Sequence, residues 1–114
     1  MPKISIIIPT YNESQHLPLL LSDLSISNEE AEIIIVDCNS EDKTVEIGKL
    51  YGSKIHKSKK KNRGLQLNIG AKKATGKWLI FIHADSRIRQ GWFKKLNSVT
   101  RSVSYTHLTL PTKA

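Results

Sequence analysis

The stretch ISIIIPTYNE, residues 4–13, decides the fold. Residues 4–8 are almost all apolar and β-branched, which is the pattern of a strand buried on both faces of a parallel sheet. Polar residues follow at once, as they do in a loop that leaves the carboxyl end of such a strand. The same arrangement recurs at Ile33–Val36 and at Trp78–Ile82, and Ser53–His56 is a weaker fourth strand. We therefore predict a sheet of short, buried strands.

Helical patterns alternate with these strands. The predicted helices are Ser14–Ser25, Asp42–Tyr51, Gly64–Thr75 and one that begins near Gln90. In the first, leucines recur at the i, i+3, i+4, i+7 spacing of a helix that packs one face on a sheet. Ser40 or Asp42 is placed to cap the second helix, and Gly52 to end it. This order predicts an α/β fold, a three-layer α/β/α sandwich with a mostly parallel sheet.

The composition excludes several classes of protein. The 114 residues suffice for one domain, and 39% apolar and 25% charged residues are ordinary for a globular protein. No apolar run approaches the roughly 18 residues of a membrane span. Cys38, the single cysteine, cannot form an internal disulfide. We therefore expect a cytoplasmic protein in which Cys38 is an inert small residue.

Positive charge is concentrated in one segment. The net charge is +8, and basic residues crowd Lys54–Arg63. Such a run is usually a solvated connection. Three functional interpretations stay open beside that one: attraction to an anionic substrate, to an acidic membrane surface, or to nucleic acid.

Polar side chains follow three of the predicted strands. PTYNE follows the first, DCNSED the second and HADS the strand Trp78–Ile82. Ligands of open parallel sheets bind at the carboxyl ends of the strands, so Asp37 and Asp85 are expected at one crevice. Neither a P-loop nor a G-x-G-x-x-G motif is present. A nucleoside diphosphate would then need another counter-charge, and a divalent metal held by Asp85 is the simplest one.

Three segments together resemble the family 2-type inverting glycosyltransferases of the GT-A fold. They are ISIIIPTYNE, EIIIVDCNSEDKT and NRGLQLNIGAKKATGKWLIFIHAD, and the resemblance covers about residues 3–100. It is nearer to a branch in which His-Ala-Asp stands where many relatives carry Asp-x-Asp. The resemblance implies a Rossmann-like half that binds a nucleoside diphosphate sugar, linked to uridine, with Mg²⁺ or Mn²⁺ as the cofactor and an unknown acceptor.

The resemblance also implies the residues of the nucleoside pocket. Pro9, Tyr11 and Glu13 would line it, with Glu13 near the ribose. Asp37 would contact the base, expected to be uracil, and Ser40 would support the loop that carries Asp37.

A second group of residues completes the implied donor site: Arg63, Gly64, Asn68, Ala84 and Asp85. The first three would border the pocket on the side of the sugar and ribose. The last two belong to the His-Ala-Asp motif, in which Asp85 would bind Mg²⁺ or Mn²⁺ on the diphosphate. His83 takes the position of the first Asp and does not supply a carboxylate charge.

No catalytic base is among these residues. In the resembling family, a carboxylate well downstream of the Asp-x-Asp segment deprotonates the acceptor hydroxyl, whereas residues 86–114 contain neither Asp nor Glu. The final segment, VSYTHLTLPTKA, resembles in its first part the translation of a transposon-type sequencing adaptor. We therefore expect residues 1–102 to be the donor-binding part of a transferase, inactive alone, and 103–114 to be a tail outside the fold.

Two other functions stay open. One is a non-catalytic nucleotide-binding module of the same fold. The other, less favoured, is a basic nucleic-acid-binding domain built on Lys54–Arg63. Steeply salt-dependent binding without any need for metal would mark the nucleic-acid binder. Metal-dependent binding of a nucleotide would mark the other two, for which no nucleic-acid partner is expected.

Overall fold

The computed structural model of the chain describes residues 4–25, 31–89 and 91, and the backbone of 107–109. Its elements are, in chain order, β1 Ile4–Thr10, α1 Leu17–Ser25, β2 Ala31–Asp37, α2 Thr44–Leu50, β3 Lys54–Lys57, α3 Arg63–Lys73, β4 Trp78–Phe81 and β5 His107–Thr109. The predicted strands and the first three helices are confirmed, with ends that differ by a few residues. The helix predicted from Gln90 lies outside the described residues.

The strands form one parallel sheet in the order β3-β2-β1-β4-β5. All seven residues of the central strand β1 are buried, which accounts for its unbroken apolar sequence. Because the strands run the same way, the loops after β1, β2 and β4 all leave from one edge of the sheet. We call this edge the carboxyl rim.

Helices cover both faces of the sheet, so the predicted three-layer sandwich is confirmed. Side chains of β1 alternate between two cores. Ile4, Ile6 and Ile8 lie with the α1 leucines in the larger cluster, whereas Ile7 lies with Val36 in the smaller one, against α3. The buried leucines of α1 are those that the helical spacing selected.

Helix α3 approaches the sheet closely at Gly70. A Cβ atom at this position would lie 2.4 Å from Ile7 Cγ2, which is far inside the contact distance of two carbon atoms, so a larger residue would push the helix outward. The close approach carries the first turn of α3, with Arg63 and Gln66, to the carboxyl rim beside β1 and β2.

One edge of the sheet differs from what the sequence predicts, and the other agrees with it. His107–Thr109, in the segment expected to lie outside the fold, forms β5 beside Leu79–Phe81, where an uncovered strand would present unpaired N–H and C=O groups. At the other edge the basic segment begins as strand β3, paired with β2, where the sequence predicts the weaker strand Ser53–His56. No helix in the described ranges is long and apolar enough to cross a membrane.

Candidate functional site

The loops that follow β1 and β2 are fastened to each other at the carboxyl rim. The Asn12 N–H donates to Ser40 Oγ at 2.8 Å, and the Glu41 N–H donates to Asn12 Oδ1 at 2.8 Å. Asn12 and Asn39 both adopt a φ of 52°, in the left-handed region that Asn tolerates better than most residues. The two loops therefore form one hydrogen-bonded unit, which we call the rim shelf.

Asp42 fixes the start of α2 below the rim shelf. Its Oδ1 accepts from the Thr44 N–H at 3.0 Å and from Thr44 Oγ1, and its Oδ2 accepts from the Ser14 N–H at 3.1 Å. Burial alone would raise the pKa of Asp42, but the bonds from Thr44 and Ser14 outweigh it and lower the pKa to about 2. Of the two predicted caps, Asp42 is therefore the one that bonds to the helix.

Asp37 lies beneath the rim shelf and has no exposed surface. Its Oδ1 accepts from Thr10 Oγ1 at 2.7 Å and from Ser40 Oγ at 2.5 Å, and its Oδ2 accepts from the Ser40 N–H at 2.9 Å. Both oxygens of the residue predicted to contact the base are thus occupied by groups of the chain itself. Ser40 connects the carboxylate to Asn12, so it joins strand β2 to both loops.

A cleft of about 330 Å³ opens above the ends of the central strands. Its lining comes from the loop after β1 and from the start of α3: Pro9, Thr10, Tyr11, Glu13, Lys61, Arg63 and Gln66. Four of these residues were predicted for the donor site. Thr10, Lys61 and Gln66 were missed.

The missed residues make the contacts that shape the cleft. Lys61 Nζ lies 4.4 Å from the centroid of the Tyr11 ring, within the range of a cation–π contact. Gln66 Nε2 donates to Thr10 O at 3.1 Å and to Val36 O at 2.9 Å. The burial of Gln66 could have been predicted from the sequence. It lies four positions before Gly70 and therefore shares the helix face that meets the sheet.

The carboxylates of Glu13 and Asp85 lie close enough to interact. Burial is the largest influence on Glu13 and raises its pKa, and the charge of Asp85 raises the pKa further, whereas His16 and Arg63 act in the opposite direction. Asp85 itself is exposed. Glu13 lines the cleft, and Asp85, in the loop after β4, is near enough for its charge to act on Glu13.

Several other predicted residues do not line the cleft. Gly64 and Asn68 are exposed on α3, and His83 is exposed in the loop after β4. The Ala84 side chain, in contrast, belongs to the larger core and is 2% exposed. A ligand contact from Ala84 would have to come from its backbone.

The chemistry of these donors fits a divalent cation that arrives with a phosphate ligand. Among the residues that the structure describes, no three His, Cys, Asp or Glu side chains are grouped to hold a metal ion. Mg²⁺ is commonly bound by one or two carboxylates together with substrate phosphates and water. Asp85, with Glu13 as its neighbour, offers that number of hard oxygen ligands at the rim.

A parallel α/β sheet with a polar cleft at its carboxyl rim is the architecture of a nucleotide-binding domain. Residues 5–99 match the sequence profile of glycosyl transferase family 2. The chain therefore belongs to this family, and the resemblance to GT-A glycosyltransferases is confirmed at that level. The branch with His-Ala-Asp stays a prediction.

Individual relatives are bacterial glycosyltransferases. The chain is 29% identical over 103 residues to the poly(ribitol-phosphate) beta-N-acetylglucosaminyltransferase TarS of Staphylococcus aureus, covering 82% of this chain and 18% of that protein. It is 36% identical over 89 residues to the 4,4'-diaponeurosporenoate glycosyltransferase of Staphylococcus haemolyticus, covering 72% of this chain and 24% of that protein. The chain thus spans a quarter or less of the length of these two relatives.

Solved structures agree with the fold. The crystal structure of S. aureus TarS 1–349 aligns with a TM-score of 0.80 at 27% identity, over 87% of this chain and 32% of that one. The mannosyltransferase PcManGT of Pyrobaculum calidifontis, in complex with GDP-Man and Mn²⁺, shares the fold with a TM-score of 0.68 at 22% identity, over 75% of this chain and 28% of that one.

Proposed function

We propose that this chain supplies the donor site of a glycosyltransferase, in which the cleft at the carboxyl rim binds a nucleoside diphosphate sugar whose nucleoside is uridine. The observation that carries the proposal is the cleft itself, where Tyr11, Lys61 and Arg63 converge on about 330 Å³ of open volume. A structure of TarS in complex with UDP, to which this chain is 28% identical with a TM-score of 0.77, supports the choice of uridine.

The charges around the cleft suit the two ends of such a ligand. Lys61 and Arg63 are exposed at its mouth, where they would attract a diphosphate and donate charge-assisted hydrogen bonds to it. Pro9 and Tyr11 give the cleft apolar surface against which a nucleobase can lie. Glu13 lines the same cleft as the two cations, and we assign it to the ribose that connects the two ends.

Asp37 and Ser40 act, in this proposal, by positioning the rim shelf. Their hydrogen bonds join β2 to the loop that carries Tyr11 and Glu13, so the cleft keeps its shape before the ligand arrives. A direct contact of Asp37 with the base would require the rim shelf to move, because Asp37 has no exposed surface. Gly64 and Asn68 keep their proposed place on the sugar side, and Ala84 would act through its backbone.

Asp85 would hold Mg²⁺ or Mn²⁺, with Glu13 as the second carboxylate in reach. When bound, the cation stabilises the negative charge on the leaving nucleoside diphosphate. Asp85 and Glu13 also define where the diphosphate lies, because two uncompensated carboxylates would repel it unless a cation came between them.

The reaction would be an inverting glycosyl transfer. The acceptor hydroxyl oxygen forms a bond to the anomeric carbon while the bond from that carbon to the diphosphate oxygen breaks, and the nucleoside diphosphate departs with the electron pair. The hydroxyl proton passes to a carboxylate base. Residues 86–114 contain neither Asp nor Glu, so we propose that these 114 residues by themselves bind the donor without transferring the sugar.

Titration calorimetry with UDP in the presence of Mn²⁺ tests the donor site. We expect Asp85→Asn and Arg63→Met to weaken binding by roughly tenfold each, since each removes a charged partner of the diphosphate. Glu46→Gln, the same loss of a carboxylate at an exposed position on α2, should bind as the wild type does. A chelator should weaken the wild type to the level of Asp85→Asn. Equal affinity in all variants would contradict the proposal.

We also propose that the exposed part of the basic segment lies on an anionic lipid surface at the inner face of the membrane. Lys57, Lys59 and Lys60 are exposed, and each lysine near such a surface is worth about 1 kcal/mol. Sedimentation with phosphatidylglycerol vesicles should retain the wild type at low salt, and reversal of these three charges should release it. Equal retention of both would contradict this contact.

A further inference from the structure

Gln66 presents one hydrogen-bonding atom that the chain itself leaves without a partner. Its NH₂ group donates to two backbone carbonyl oxygens, Thr10 O and Val36 O. Carbonyl oxygens only accept, so these two bonds fix which end of the amide is the nitrogen. The other end, Oε1, is thereby held in one orientation and accepts no hydrogen bond from the described part of the chain.

This oxygen belongs to a residue that lines the cleft. Gln66 is 4% exposed and lines the cleft. Within the described ranges, Ser53 Oγ is the side-chain polar atom that is both fully enclosed and without a hydrogen bond. Gln66 Oε1 also lacks a hydrogen bond, so it must keep some exposed surface. A nearly buried acceptor that opens on a ligand cleft is costly to leave unpaired once a ligand excludes water from it.

The depth of Gln66 indicates which part of the ligand it meets. Gln66 and Thr10 are buried at the floor of the cleft, whereas Lys61 and Arg63 are exposed at its mouth. A diphosphate placed against the two cations leaves the nucleobase to descend to the floor. The floor therefore offers the base one rigid acceptor and no free donor from Gln66.

We propose that Gln66 Oε1 selects the nucleobase by accepting its ring N–H. Uracil and guanine carry a hydrogen on the ring nitrogen of this edge, whereas cytosine and adenine carry a lone pair there, which would oppose the lone pair of Oε1. Gln66 is then a specificity-determining residue. The inference rests on the proposed donor site and adds to it the residue that chooses the base.

The decisive experiment compares three diphosphates that differ at one edge of the base. Titration calorimetry with UDP, CDP and N3-methyl-UDP on the wild type should show UDP binding more tightly than either of the others by roughly tenfold, because a site that is built for an N–H rejects a base that lacks it. In Gln66→Met the preference for UDP should fall to about twofold or less. The matched change Gln15→Met, at an exposed glutamine, should leave it unchanged.

The outcomes separate the inference from the proposed function. Equal binding of the three diphosphates to the wild type would overturn the role of Gln66 and leave the donor site intact. An equal loss of affinity for UDP and CDP in Gln66→Met would also overturn it, because a purely structural residue weakens both alike. No binding of any nucleotide would overturn both proposals. If Gln66→Met fails to fold, equal binding of the three diphosphates to the wild type still overturns the role of Gln66.

Discussion

Strand β2 carries a buried carboxylate near each end, Glu32 and Asp37, and each accepts from the hydroxyl of its register partner on β1. Ser5 Oγ donates to Glu32 Oε2 at 2.6 Å, and Thr10 Oγ1 donates to Asp37 Oδ1 at 2.7 Å. Both pairs join a hydroxyl of β1 to a carboxylate of β2. The groups that surround the two carboxylates differ, and the two ends of the sheet differ with them.

At the amino end of the sheet, Glu32 is surrounded by hydrogen-bond partners from several elements. Glu32 also accepts from Lys54 Nζ at 2.7 Å and from the Thr75 N–H and Oγ1 at 2.6 Å each. These bonds join β1, β2, β3 and the turn after α3. Burial alone would raise the pKa of Glu32, but the bonds from Lys54, Ser5 and Thr75 outweigh it and lower the pKa to about 2.

The carboxyl end of the sheet carries the open cleft. No lysine, arginine or histidine in the described part of the chain forms an ion pair with Asp37, and its other bonds come from Ser40 on the rim shelf. Of the cations at this end, Lys61 and Arg63 line the cleft, whereas Lys57 is the register partner of Asp37 on β3. The lysine that pairs with a β2 carboxylate, Lys54, thus lies at the amino end of the sheet, whereas Lys61 and Arg63 line the cleft at the carboxyl end.

The largest expected effect is the loss of stability when Glu32 is replaced at the amino end of the sheet. Glu32→Leu should cost about 4 kcal/mol in the free energy of unfolding, because it leaves the buried Ser5 hydroxyl and the Thr75 N–H without an acceptor and Lys54 without its partner. Urea denaturation measures this change. Glu46→Gln, a carboxylate loss on the exposed face of α2, is the matched control and should stay within about 0.5 kcal/mol. Similar costs for both would remove the distinction between the two ends.

Acid should weaken the amino end in a defined pH range. The pKa of Glu32 is about 2 in the folded chain against an ordinary value of 4.5. A lowered pKa contributes stability that is present above the ordinary value and is lost as the pH falls toward the folded one. Between pH 6 and pH 3 the wild type should therefore lose about 2 kcal/mol through this group.

Two variants test which carboxylates cause this loss of stability in acid. Glu32→Gln should be less stable at pH 6 but flatter between pH 6 and pH 3, as urea denaturation at each pH would show. Asp42→Asn should flatten the same range in part, because the pKa of Asp42 is also about 2. A profile for Glu32→Gln as steep as that of the wild type would show that other groups cause the acid sensitivity.

The smallest expected effect is a difference in stability between two lysine substitutions in the basic segment. Lys54→Met should cost about 1 kcal/mol, since Lys54 Nζ pairs with Glu32 although its side chain is 57% exposed. Lys59→Met, at an exposed position after β3, should stay within about 0.5 kcal/mol. Thermal unfolding of the two variants at low and high salt compares them. Equal costs would mean that the segment behaves as one solvated connection, as its sequence suggests.

Sequence patterns predicted the fold well because its strongest features are local. The β-branched run at Ile4–Ile8, the leucine spacing of α1 and the stop at Gly52 each act within a few residues. The parallel order followed from alternating strands and helices. Pairing of His107–Thr109 with β4 could not be predicted in this way, since strand pairing joins residues that are distant in the chain.

The candidate site was predicted in part. Residue types and their positions at strand ends predicted that Tyr11, Glu13, Asp37 and Asp85 share one rim, because parallel strands share their carboxyl edge. Burial decided the rest. Asp37 lies under the shelf and the Ala84 side chain lies in the core, and neither fact can be seen in a motif.

The sequence by itself determined the sheet, its direction and the class of residues at its rim, because hydrophobic period and turn chemistry are properties of short segments. Tertiary structure decided that both carboxylates of β2 are enclosed and that a cleft opens beside Tyr11 and Arg63. This arrangement depends on where α3 crosses the sheet, which Gly70 permits by its contact with Ile7, and on the two carbonyl oxygens that orient Gln66. Such contacts join residues far apart in the chain, so no local pattern records them.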